Sequence, residues 1–259
     1  MTAKYNAVIL HEIIAKQTDL QKEPEQSFED IGIDAFKTIL DHGVPCSSVS
    51  SAISSKDSTN SGIILSFDDG HKSDIEIVLP MLQKKGFNAT FFIVPKFIGK
   101  KKFLNWDDIR TLHSAGMEIG SHSMTHPDFR TLTHSQAEEE LNKSKQIIQS
   151  KINSPVISFA FPFGFSPRQF IPLAKKIGYK NIMGSHHGII SGSSNSILPR
   201  NSIHGRMSDQ QIKHLLDSPR TLKFYWFLEN TLKPLLKKVL SQGAYRQFRN
   251  FLLNNQKDI

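Results

Sequence analysis

The sequence predicts an α/β fold, a barrel of about seven parallel strands, and three observations carry that prediction. Short apolar runs alternate with stretches of helical period along the chain. Gly86, Gly116 and Gly178 each close a helical stretch and precede an apolar run by two or three residues, the tight helix-to-strand passage of such folds. The polar clusters fall at the carboxyl ends of the strand candidates, which form one face in a barrel of parallel strands. A chain of 259 residues, 38% hydrophobic and 22% charged, is long enough to bury such a core as one domain.

The strand candidates in order are Ala7 to Leu10, Gly62 to Phe67, Ala89 to Val94, Glu118 to His122, Val156 to Phe161, Asn181 to Gly184 and Ser196 to Arg200. The Ser-rich stretch from Ser47 to Ser61 reads as a loop, with the lone Cys46 in or near it. Ile75, Val78, Leu79 and Leu82 share a helical face, as do Ala137, Leu141, Ser144 and Ile148. Ser135 with Glu138 and Ser208 with Gln211 have the spacing of capping boxes, and Ser166 precedes Pro167 as a helix start.

A single cysteine excludes an intramolecular disulfide and any multi-cysteine zinc site. The apolar runs of the first twenty residues are too short for a signal-peptide core, and no run reaches transmembrane length. The expectation is a cytoplasmic protein. Its net charge of +8 is concentrated near the end, where residues 221–259 hold seven basic residues against two acidic ones. There Tyr225, Leu228, Leu232, Leu235, Leu236 and Val239 form one helical stripe, which Pro234 breaks or restarts. Two parts follow: a catalytic barrel over 1–220 and a basic amphipathic tail over 221–259. The tail suits a cover on the barrel's open side, a cap on an oligomer or peripheral contact with anionic lipid. No nucleic-acid recognition motif accompanies the charge, so no nucleic-acid partner is expected.

Three clusters carry chemistry. Ser66-Phe67-Asp68-Asp69-Gly70 puts two carboxylates at a strand end, although Asp-Asp-Gly alone is ordinary turn chemistry. His122 and His126 have i, i+4 spacing, which would put both imidazoles on one side of a helical turn. With 11 histidines in the chain such a pair also arises by chance. Phe159 to Gly164 is an aromatic and proline turn, read either as core or as a turn that aims a backbone N–H at an oxyanion. A carboxylate and two histidines make a three-ligand site with an open position, and the second aspartate is left to take a proton from water.

In this order, Ser66 to Gly70, His122 to His126 and Pro162 to Gly164 resemble the first three motifs of the polysaccharide deacetylase family of carbohydrate esterases. Gly86 to Phe92 and Gly116 to Gly120 resemble that family's helix-to-strand passages. The resemblance implies a distorted barrel, with Asp68 as catalytic base, Asp69, His122 and His126 as metal ligands, and the Phe163 N–H at the oxyanion. Zinc is the metal implied, and the ligand set also accepts cobalt, nickel or iron. Phe163 stands where the family has tyrosine, Ala160 where many members have an arginine that supports the base, and Arg200 where others have a histidine that protonates the leaving amine.

These departures lead to the expectation that Arg200 takes over the missing arginine's task and that His204 or His11 donates the proton. His11 ends the first strand and is equally open to a packing role. His71 is a candidate substrate contact, and His186 and His187 read first as a polar loop. The activity implied is metal-dependent removal of an N-acetyl group from a polysaccharide, an oligosaccharide or a lipid-linked or nucleotide-linked glycan intermediate, the last fitting an intracellular enzyme with a membrane-facing tail. Two alternatives stand beside it: an amidase of the same superfamily acting on a non-sugar amide or cyclic imide, and a catalytically silent carbohydrate-binding barrel.

Overall fold

Strands that are buried on both faces must be covered twice, once by helices and once by the far side of the sheet, and the chain meets both demands. The structure is a computed structural model that describes residues 4–15, 29–55, 61–164, 166–191 and 196–217. The strands are β1 (Lys4–Leu10), β2 (Ile13–Ile14), β3 (Ile31–Gly32), β4 (Cys46–Ser47), β5 (Ser61–Asp69), β6 (Thr90–Ile93), β7 (Glu118–Ser121), β8 (Ser158–Ala160), β9 (Asn181–Met183), β10 (Ile190–Ser191) and β11 (Asn201–Ser202). The α-helices are α1 (Ile33–Leu40), α2 (Val49–Ser54), α3 (Leu79–Lys85), α4 (Trp106–Ser114), α5 (His134–Ile152), α6 (Ile171–Lys176) and α7 (Asp209–Asp217).

Parallel pairing runs β1-β5-β6-β7-β8-β9. The segment 198–202 joins the two ends of that order: Leu198 bridges Met183, while Asn201 and Ser202 pair with Val8 and Ile9. The result is a distorted ring of seven staves, and a short antiparallel contact of β10 with the start of β1 lies beside the closure. The expected strand at Ser196–Arg200 is therefore shifted. Its only ladder contact is at Leu198, and regular pairing begins at Asn201, because the segment must cross from β9 to β1 rather than run along either.

Alternation along the staves sorts the apolar residues into two cores. Val8, Leu65, Phe67, Phe91, Ile119 and Phe159 pack outward against the helices. Ala7, Ile64, Phe92, Ala160, Met183 and Leu198 fill the inside of the ring. A Cβ at Gly120 would stand 2.5 Å from the Phe92 ring, so glycine there lets that ring lie across the barrel. Burying one such phenylalanine is worth roughly 1.5–3 kcal/mol.

Local chemistry sets the helix ends. The faces expected on α5 hold, with Ala137, Leu141, Ser144 and Ile148 all buried. Its capping box, however, is Thr133 with Gln136 rather than Ser135 with Glu138, because the chain turns helical two residues earlier. Ser208 and Gln211 cap α7 reciprocally, as their spacing predicts. Pro167 starts a 3-10 turn at Arg168–Phe170, and α6 follows it. Gly86, Gly116 and Gly178 all adopt positive φ at or just past helix ends.

The Ser47 to Ser61 stretch is only partly loop. Ser48 caps α2, and Cys46 is a buried strand residue whose thiol burial pushes up to about 12. No helix among the described residues is long and apolar enough to cross a membrane. The amphipathic stripe of residues 222–240 lies outside the described residues.

Candidate metal centre and catalytic face

The same alternation that builds the inner core delivers the polar side chains. On β5 the inward positions read Ile64, Ser66, Asp68, so an apolar column ends in a carboxylate at the mouth of the ring. His122 continues β7 beyond Gly120, its N–H donating to the Ile93 carbonyl at 2.9 Å, and Arg200 follows Leu198 on the closing segment. Three residues far apart in sequence thereby share one end of the barrel.

Asp68 is nearly inaccessible and Arg200 fully so. The guanidinium meets the carboxylate with both ends, Nη1 to Oδ1 at 2.7 Å and Nη2 to Oδ2 at 2.9 Å. It also donates from Nε to the Gly184 carbonyl at 2.9 Å and from Nη1 to Ser66 Oγ at 3.1 Å, while its carbon lies 5.2 Å from the Phe92 ring centre. Such a two-pronged, fully satisfied pair fixes the carboxylate's orientation. Burial raises the Asp68 pKa, but Arg200 and His122 outweigh it and hold the carboxyl below its ordinary range.

Beside it, one oxygen of Asp69 and one ring nitrogen from each of His122 and His126 lie within 4.8 Å of one another. Asp69 Oδ1 is 3.4 Å from His126 Nε2 and 3.8 Å from His122 Nε2, and this buried oxygen has no hydrogen-bond partner. His122 Nδ1 is engaged by the Ala160 carbonyl at 2.9 Å, which fixes its tautomer and leaves Nε2 as the atom facing the aspartates. Burial lowers the His122 pKa more than the aspartates raise it, which favours the neutral form a metal needs. A carboxylate oxygen and two imidazole nitrogens converging around an orphaned oxygen fit a divalent metal.

The two histidines do not meet through a helical turn. Residues 122–126 are irregular, and Ser123 and His126 both have positive φ. The turn is held from outside by Glu140 on α5, which accepts from the Met124 N–H, the Thr125 N–H and the Thr125 hydroxyl, and from within by His126 N–H to Ser123 Oγ at 3.0 Å. The i, i+4 spacing singled out two histidines that the structure brings together, through an irregular turn rather than a helical one. Glu140 was not legible, because it sits in a run of three glutamates on an ordinary helix.

The remaining expected residues divide. Phe163 has φ 55°, is 60% exposed, and its ring stands 4.6 Å from the His126 ring. His11 follows β1, and its Nε2 lies 3.3 Å from Glu29. His204 follows β11 in a turn where its carbonyl accepts from Met207 N–H. His71 is turned toward the protein: its ring stacks on Phe103, with Nε2 3.8 Å from Asp69 and Nδ1 4.0 Å from Glu12. His187 bonds Asn201 at 3.2 Å, and burial lowers the His186 pKa.

Residues 55–182 match the family model described as polysaccharide deacetylase. The Bacillus subtilis relative YxkH is 28% identical over 118 residues, 46% of this chain and 42% of its own length. The poly-β-1,6-N-acetyl-D-glucosamine N-deacetylase of Staphylococcus aureus is 25% identical over 167 residues, 59% of this chain and 56% of that protein. The chain thus spans about half the length of the curated relatives it matches. Among solved structures, the Streptococcus pyogenes deacetylase PplD in complex with acetate superposes with a TM-score of 0.73 at 20% identity, covering 84% of this chain and all of that one. Over residues 55–182 the chain is thus similar to the polysaccharide deacetylase family, on a fold shared with solved deacetylases.

Proposed function

We propose that the protein is a metal-dependent hydrolase that removes an N-acetyl group from an N-acetylated sugar. The observation that carries the reading is the pairing of an ionised, Arg200-clamped Asp68 with the Asp69, His122 and His126 cluster beside it. Relatives named for poly-β-1,6-N-acetyl-D-glucosamine and for peptidoglycan N-acetylmuramic acid support a sugar acetamide as substrate.

Asp69, His122 and His126 would hold the ion, zinc by ligand type with cobalt, nickel or iron as substitutes. Such an ion lowers the pKa of a water and polarises the acyl carbonyl. Asp68 takes the water's proton, and its depressed pKa keeps it in the basic form across the neutral range. Arg200 holds that carboxylate in place and so does the work that an arginine at position 160 would do. Phe163 supplies its backbone N–H to the oxyanion, a role that needs no hydroxyl. The proton for the leaving amine comes from His11 or His204; His11 directly follows β1, at the end of the barrel that carries Asp68 and Asp69.

The test is acetate release from N-acetylglucosamine oligomers and a lipid-linked N-acetylhexosamine by zinc-loaded protein, beside Asp68→Asn and a chelated sample. Release abolished in both controls is expected. No release despite one equivalent of bound metal would sink the sugar deacetylase reading.

A further inference from the structure

The loop after β6, residues 95–104, carries Lys96, Lys100, Lys101 and Lys102, all exposed, and no acidic residue. It is built onto both turns of the metal centre. Lys96 N–H donates to the Met124 carbonyl of the histidine turn at 3.1 Å. On the other side Lys72 N–H donates to the Lys102 carbonyl at 2.8 Å and Leu104 N–H to the Gly70 carbonyl at 2.9 Å, next to the paired aspartates. The loop's position relative to the site is therefore fixed by backbone hydrogen bonds rather than by side-chain reach.

Two further features bear on what this charge can bind. Lys96, Lys100 and Lys101 have no carboxylate partner among the described residues. Lys100 Nζ instead lies 5.3 Å from the centre of the Phe97 ring, and that ring is 5.9 Å from His126. One aromatic ring thus lies between the Lys100 ammonium and His126.

We infer that this loop is a subsite for an anionic substituent, a phosphate ester or a carboxylate, on the glycan unit next to the acetamide that is cut. The choice of a glycan rests on the deacetylase reading above; the anionic preference rests on the loop. Lysines engage such groups as point charges without fixed geometry, which suits a sugar chain that presents its charge at variable angles. The ring of Phe97 gives the adjoining sugar an apolar floor.

The experiment compares zinc-loaded wild type with a triple variant, Lys96→Gln, Lys100→Gln and Lys101→Gln. Equilibrium binding is measured first with glucose oligomers that are neutral, phosphate-bearing or carboxylate-bearing, none of which can turn over. KM and kcat are then measured with the corresponding N-acetylglucosamine oligomers. Wild type is expected to bind one or both anionic oligomers roughly tenfold tighter than the neutral one at low ionic strength, the larger preference telling phosphate from carboxylate. The triple variant should lose that preference through KM alone, with kcat and neutral affinity unchanged. Equal binding of all three oligomers by wild type, or a preference that survives in the variant, overturns the inference. Anion-selective binding without acetate release from any oligomer would keep the subsite and overturn the deacetylase reading instead.

Discussion

Two groups of polar residues sit at opposite ends of the same staves. At the amino ends of β6, β7, β8 and β9, Glu118 accepts from the Ser50 N–H and the Thr90 hydroxyl at 2.8 Å each, and from the hydroxyls of Ser50 and Ser158 at 2.6 and 2.5 Å. Asn181 completes the group by donating to Ser50 and Ser158. At the carboxyl ends, Asp69 Oδ1, His11 Nδ1, His71 Nδ1 and both oxygens of Asp74 are buried without hydrogen-bond partners. Both groups gather acidic and hydroxyl or imidazole side chains. A carboxylate surrounded by its own donors closes the bottom of the barrel, whereas orphaned acceptors and ring nitrogens converging at the mouth mark the end built to receive something.

Substitutions at the two ends should therefore separate catalysis from stability. The largest effect is expected for Asp68→Asn, which should lower kcat by roughly 10²–10⁴-fold. Glu118→Gln should leave kcat near wild type. Comparable kcat losses in the two would mean that the bottom network is not merely structural.

Arg200→Ala comes next. It leaves the Asp68 carboxylate buried without its partner, at a cost of about 3–5 kcal/mol in urea unfolding, and should slow turnover as well. Because the folded pKa of Asp68 is depressed, its stabilisation is present above the unfolded carboxyl pKa and is lost as pH falls through the folded value. The Arg200→Ala deficit should accordingly shrink in acid. Wild-type turnover in this variant would end the positioning role assigned to Arg200.

Glu118→Gln turns an acceptor-only group into one whose NH2 faces donors, and should cost about 1–3 kcal/mol. Asp74 has the opposite sense. Burial raises its carboxyl pKa well above the ordinary range, so its folded form is favoured at low pH, and that advantage is lost as pH rises above the unfolded pKa of about 3.9. Asp74→Asn should gain stability relative to wild type near neutrality, by about 1–3 kcal/mol, and gain least near pH 4. A gap that does not change with pH would show that Asp74 is ionised and satisfied in the fold.

The smallest effect concerns Cys46, whose thiol is pushed up to about 12 by burial on β4. Alkylation by iodoacetamide at pH 8 should be negligible in folded protein and rapid in urea. Rapid modification of native protein would show that β4 opens away from β5 in the folded state.

By itself the sequence determined which residues could be core and which could be chemistry. Six of the seven strands were readable from runs such as Ala7 to Leu10 and Gly62 to Phe67, because burial on both faces demands continuous apolar stretches. Asp68, Asp69 and His122 were legible because a change from apolar to polar at a strand's carboxyl end is a local signal.

Tertiary structure decided which of these residues meet. That Arg200 pairs with Asp68, 132 positions away, depends on how the segment 198–202 closes the ring, and no spacing in the sequence encodes that crossing. The same closure displaced the expected strand at Ser196–Arg200. Thr133 displaced Ser135 as the cap of α5, and Glu140 became the support of the histidine turn, because a helix start and a side-chain anchor are chosen by what the rest of the fold brings within hydrogen-bond reach.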